Sequence, residues 1–151
     1  MILDTIAYNC NTSNVAGHGG VSGHNNAIFD FVGSHLFIGN GSNCNAIWMD
    51  GPSCISVSNG LTISNTFGDV VHFDEGGKGS FSGVIAPSGT TSVARLFNLR
   101  ACAAAFMGTQ PQTTGYASIG PSLVDGNSVM YLNGVTIPGG AITSTHGGQV
   151  I

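Results

Sequence analysis

The sequence predicts an all-β protein built as a short stack of similar coils, and three observations carry that prediction. A short phrase recurs, running from a polar residue through apolar positions to a bulky one and a turn. Only 7% of the residues are charged, while 24 are glycine. Short segments of alternating polarity lie between the copies and end at turn residues such as Asn59-Gly60 and Pro87-Ser88-Gly89.

The copies of the phrase begin at Asn26-Ala27-Ile28-Phe29, Asn45-Ala46-Ile47-Trp48, Asp69-Val70-Val71-His72, Ser92-Val93-Ala94-Arg95 and Ser128-Val129-Met130-Tyr131. With Ala27, Ala46, Val70, Val93 and Val129 taken as equivalent, the spacings are 19, 24, 23 and 36 residues. A repeat of about 20 to 45 residues marks stacked architectures, because one unit cannot bury its apolar face alone. Surface helices need Glu, Lys, Arg and Gln. This chain holds three Lys and Arg together (Lys78, Arg95, Arg100) and one Glu, Glu75. Glycine, Asn and Ser supply tight turns instead.

Between the copies, Leu36-Phe37-Ile38, Ile55-Ser56-Val57-Ser58, Leu61-Thr62-Ile63-Ser64 and Phe81-Ser82-Gly83-Val84-Ile85 read as half-buried strands. An isolated hairpin explains Asn59-Gly60 but not a unit that recurs. Residues 1–25 are read as an N-terminal cap or docking segment, 26–137 as the coil domain and 138–151 as a closing cap or arm. The long interval near 98–127 is read as an insertion projecting from the stack. Ala101–Met107 is its one candidate helix, or equally a buried strand.

The net charge of −4 gives no basic face for nucleic acid or anionic lipid. No apolar run has membrane-span length, and Met1–Ile6 lacks the pattern of a secretory signal. Cys10, Cys44, Cys54 and Cys102 show no zinc spacing. Buried thiols acting as small apolar residues are the main reading for them, with a Cys44–Cys54 bridge across Gly51-Pro52, or a bridge between subunits, as the alternative.

Asn-Ala-Ile-Trp at 45–48 and Val-Val-His-Phe at 70–73, set in Gly/Ser/Asn-rich surroundings, resemble the right-handed parallel β-helix proteins. The nearest company is the trimeric β-helices of bacteriophage virions, the small capsid-decoration proteins and the tailspikes. The resemblance spans roughly 26–137 and is one of style, without a diagnostic motif. It implies rungs of three short strands, ladders of stacked polar or aromatic side chains, and a homotrimer. About five rungs at the ~4.8 Å strand spacing would stand only ~25 Å tall, with open edges that invite partners. The expected function is therefore capsid decoration or cementing in a virion assembled in the host cytoplasm. Ile2–Tyr8 and His18–His24 are assigned to lattice docking against a major capsid or other virion protein, and Phe97–Met107 to the trimer interface.

The alternative is a tailspike or tail-fibre segment that binds or cleaves bacterial glycan. For cleavage the candidates are Asp50, Asp74 and Glu75, because Asp50 and Asp74 occupy equivalent places in consecutive copies. Stacked carboxyl groups about 5 Å apart match a retaining glycosidase. Their simpler role is as turn residues, which Asp favours, so no catalytic residue is assigned. No cofactor or metal site is assigned either, since His18 and His24, six residues apart, make a poor ligand pair. His72, at the bulky position, is expected to stack or be exposed.

Overall fold

The computed structural model describes residues 2–3, 6–10 and 19–151. All of its regular structure is β-strand. The first coil contributes β1 (Ile2–Leu3), β2 (Ile6–Cys10) and β3 (Gly19–Gly23). Four complete turns follow. They comprise β4 (Ile28–Phe31), β5 (His35–Asn40) and β6 (Asn45–Met49); then β7 (Cys54–Val57) and β8 (Leu61–Phe73); then β9 (Lys78–Phe81) and β10 (Ile85–Leu99); then β11 (Ala104–Met107), β12 (Tyr116–Ile119) and β13 (Leu123–Val124). Three short strands close the stack: β14 (Val129–Tyr131), β15 (Thr143–Ser144) and β16 (Gln149–Val150).

Every strand pairing is parallel, between one coil and the next, so the chain is a parallel β-solenoid. One sheet stacks β1, β4, β7, β9, β11, β14 and β16. The other nine strands form a second sheet, which bends into two faces. β5 and β6 of one coil pair with the two halves of the single long strand β8 in the next. β8 turns at Asn65, whose φ of 67° lies in the left-handed region that Asn tolerates better than most residues. The three faces so formed agree with the three strands per rung implied by the resemblance.

The core is a set of side-chain columns. Phe31, Val57, Phe81 and Met107 succeed one another on the first face, and Met49, Phe73 and Leu99 on the third. All seven are buried. Full burial of each such side chain contributes about 1.5–3 kcal/mol. Gly79 falls in an inward column between Ile55 and Ala105. A Cβ there would lie 2.5 Å from Phe73 Cζ, so the missing side chain makes room for the Phe73 ring.

The repeat is real, but its phase differs from the sequence reading. Ala46 and Val70 are equivalent as expected, since Ile47 pairs with Val71. Val71 then pairs with Phe97, so the next copy is Arg95-Leu96-Phe97-Asn98, three residues later than the phrase at Ser92. The register jumps where Ser88 pairs with Ser64 but Thr91 pairs with Asn65, leaving Gly89-Thr90 as extra residues at the corner. Val129 belongs to the first face, as Ile28 does, and not to the third. Mixing two faces produced the 36-residue gap. The insertion expected near 98–127 is replaced by β11, β12 and β13, which continue both sheets. Ala104–Met107 is strand, which settles the helix-or-strand alternative for that segment.

At the corner entering the first face, two consecutive residues take positive φ in most coils: Asn25 and Asn26, Glu75 and Gly76, Ala101 and Cys102, Gly126 and Asn127, His146 and Gly147; at the corner between the first two pairs Gly51 does so alone, followed by Pro52. Backbone bonds tie these corners together, with Gly76 N donating to Ala101 O and Cys102 N to Gly126 O. Cys44, Cys54 and Cys102 are free thiols, so the Cys44–Cys54 bridge is not formed. Cys44 is buried and fits the apolar-residue reading, whereas Cys102 is exposed.

Candidate functional site

The corrected alignment puts a polar residue at both ends of the repeated phrase on the third face. Asn45, Asp69 and Arg95 form one column, and Trp48, His72 and Asn98 the next. Both columns face away from the core columns, yet Asn45, Asp69, His72 and Asn98 are all buried. Buried polar groups have to be paired, or each costs about 1–3 kcal/mol.

Asp69 is the hub, at 7% exposure. Its Oδ2 accepts from His72 Nδ1 at 2.8 Å and from Asn98 Nδ2 at 2.7 Å. Its Oδ1 accepts from Arg95 Nη1 at 3.3 Å, and its backbone N–H donates to Asn45 Oδ1 at 3.2 Å. Burial by itself raises the Asp69 pKa. The hydrogen bonds from His72 and Asn98, with the charges of His72 and Arg95, outweigh it and hold the carboxyl below the ordinary carboxylate value. A carboxylate can only accept, so the Nδ1 of His72 carries the shared proton. That orientation turns Nε2 the other way. It has no hydrogen-bond partner among the described residues, and a carboxylate oxygen of Asp74 lies 3.9 Å away.

Trp48 stacks on His72, as the ladder reading expected for the bulky position. Outside these residues is a hollow of about 380 Å³ lined by Ser42, Asn43, Asn45, Trp48, Asp69, His72, Arg95 and Arg100, among others. The Arg95 side chain is 41% exposed there, and Arg100 is exposed with no ion-pair partner among the described residues.

Asp50 and Asp74 do occupy equivalent places, because Met49 pairs with Phe73. Both stand at turns. Asp50 Oδ2 lies 2.6 Å from His24 Nδ1, and Asp74 Oδ1 accepts from the N–H of Glu75. Glu75 is exposed at φ 48°. Neither Asp50 nor Glu75 lines the hollow, nor does Asp74. His24 therefore has a carboxylate beside it, which spacing along the chain did not suggest. His18 lies outside the described residues, as does Met1.

Sequence reading picked out Trp48, His72 and Arg95 but not their convergence on Asp69, Asn45 and Asn98. The signal was available in the opening polar residue of each phrase. It was hidden by the three-residue slip that made Arg95 a counterpart of His72 in place of Asp69. No protein-family model, no curated protein and no solved structure matches the chain.

Proposed function

We propose that this protein is a structural component of a bacteriophage virion, a homotrimeric β-helix that decorates and cements the head lattice. What supports the reading is the outer surface of the first sheet. Ile28 there is 64% exposed, and Phe106 is 42% exposed with its ring stacked on Tyr131 at 4.6 Å. Between Ile28 and Phe106 is a shallow trough of about 420 Å³, floored in part by Cys54, Ser56 and Ser80. Val32 and Val84 add exposed apolar surface at the adjoining corner. Large side chains grouped on a flat strand surface mark a contact with another chain. Cys54, Ser56 and Ser80 between them are small enough for a second β surface to approach to the ~10 Å packing distance, with Asp30 and Lys78 as charged groups in the same trough.

An open strand edge favours assembly too. β2 and β15 stand at the two ends of the second sheet's main path, and β1 and β16 at the two ends of the first. A parallel edge left open is a template for pairing, and closed association is one way to cover it. On a capsid, many such weak contacts act together, and the effective concentration supplied by the lattice does the rest.

Light scattering of the purified chain tests the oligomer. A mass of three chains is expected, reduced to one by Ile28→Asp with Phe106→Asp while the β circular-dichroism signal persists. A parent chain that stays monomeric at all concentrations would remove the basis of the proposal. Counting copies per particle tests the location, with hundreds expected for decoration and only a few for a tail structure.

A further inference from the structure

We infer that the hollow between the coils at Trp48 and Arg95 is a binding site for a small hydroxylated anion, a sugar acid or a sugar phosphate. The inference begins with charge. The chain carries a net charge of −4 and only three Lys and Arg, yet two of those three line this one hollow. The only carboxylate among the lining residues is Asp69, and its oxygens already accept from His72, Asn98 and Arg95. Two guanidinium groups against one saturated carboxylate leave the hollow positive.

The two arginines differ in a useful way. Arg95 is held by Asp69 through Nη1, which fixes its plane while its exposed edge keeps further donors free. Arg100 stands at the turn directly after Leu99, the last residue of the strand that carries Arg95, with no carboxylate bound to it among the described residues. A pre-oriented guanidinium beside a free one is suited to a carboxylate or phosphate, whose oxygens match the fork of N–H donors. Asp69 is thus a positioning residue, acting through Arg95.

The rest of the lining argues for hydroxyl groups on the ligand. Ser42 is exposed at the rim, where its hydroxyl can both donate and accept. Trp48 supplies the apolar wall, and a volume of about 380 Å³ suits a ligand of one or two sugar rings. Such a site does not depend on the oligomeric state: a monomer can bind here, and a trimer can lack the ligand.

Trp48 is the one tryptophan of the chain, so its fluorescence reports directly on the hollow. The experiment titrates the full chain with glucuronate, glucose 6-phosphate, inorganic phosphate and neutral glucose. A saturable change is expected with glucuronate or glucose 6-phosphate, and the stronger of the two identifies the acidic group. Glucose should give none, and inorganic phosphate should bind more weakly than the sugar phosphate. Arg100→Gln, at an exposed and unpaired position, should weaken binding about tenfold or more without altering the fold. Arg95→Gln should do the same, and raised salt should weaken the parent. Equal response to glucose and the acids, no saturable change with any probe, or an unchanged affinity in folded Arg100→Gln would each overturn the proposal.

Discussion

Trp48 and His72 lie one above the other in adjacent coils, with ring centroids 4.2 Å apart and planes within 2° of parallel. The stack joins two kinds of order. On one side it extends the aromatic surface of the third face. On the other it presses the imidazole into the bond with Asp69 that organises the polar cluster. Removing His72 should therefore disturb both.

Substituting His72→Ala is expected to destabilise the fold by about 2–4 kcal/mol, the sum of a hydrogen bond to a charged group and a ring stack. His72→Phe keeps the stack and loses the bond, so only the stacking part, about 0.5–1.5 kcal/mol, should return. Urea unfolding followed by Trp48 emission measures both. Equal losses in the two variants would show that the stack contributes nothing.

Acid should weaken the fold through Asp69. Its folded-state pKa lies below the unfolded value near 3.8. The unfolded chain therefore takes up the proton first, and the stabilisation is complete above that value. It is lost as the pH falls through the folded value. Asp125 is also held low, by bonds from Thr145 and His146, so pH alone does not isolate Asp69. The comparison is the parent against Asp69→Asn from pH 7 to pH 2. The variant should start less stable and lose less on acidification, and parallel curves would refute the assignment.

Glycine substitutions should divide by location. Gly79→Ala forces a methyl against the Phe73 ring and should cost about 1–3 kcal/mol, as overpacked cores do. Gly89→Ala meets nothing within 4 Å, so only its left-handed φ of 62° is penalised, by about 1 kcal/mol. Ala101, at φ 50°, is the reverse case. Ala101→Gly relieves the same penalty and should raise the melting temperature slightly. Thermal unfolding of the three variants ranks them.

Thiol labelling should follow exposure. In a Cys10→Ser background, Cys102 is expected to react at once, Cys54 more slowly and Cys44 only on unfolding. Rapid labelling of Cys44 in the native chain would contradict its burial beneath the third face.

Much of the coil was legible along the chain. The period-2 segments at Ile55–Ser58 and Leu61–Ser64 fall on β7, which ends at Val57, and on β8, with the break where Asn59-Gly60 marks the corner. Such signals are local, since alternation and turn chemistry are written within a few neighbouring residues. The candidate site was legible only in part. Trp48 and His72 stood out as bulky residues in matching phrases. Asp69 stood out only as the polar opening of its phrase, because nothing nearby in the sequence announces that Asn98, 29 residues on, will donate to it.

The sequence by itself determined the class of fold, the presence of a repeat and the scarcity of charge, because each depends on composition or on short-range periodicity. Only the tertiary structure decided the phase of that repeat and with it the meeting of Asp69, His72, Arg95 and Asn98. In a parallel stack, neighbours across coils are separated by a whole turn of chain. Two extra residues at one corner, Gly89 and Thr90, change which side chains meet while leaving every local pattern intact.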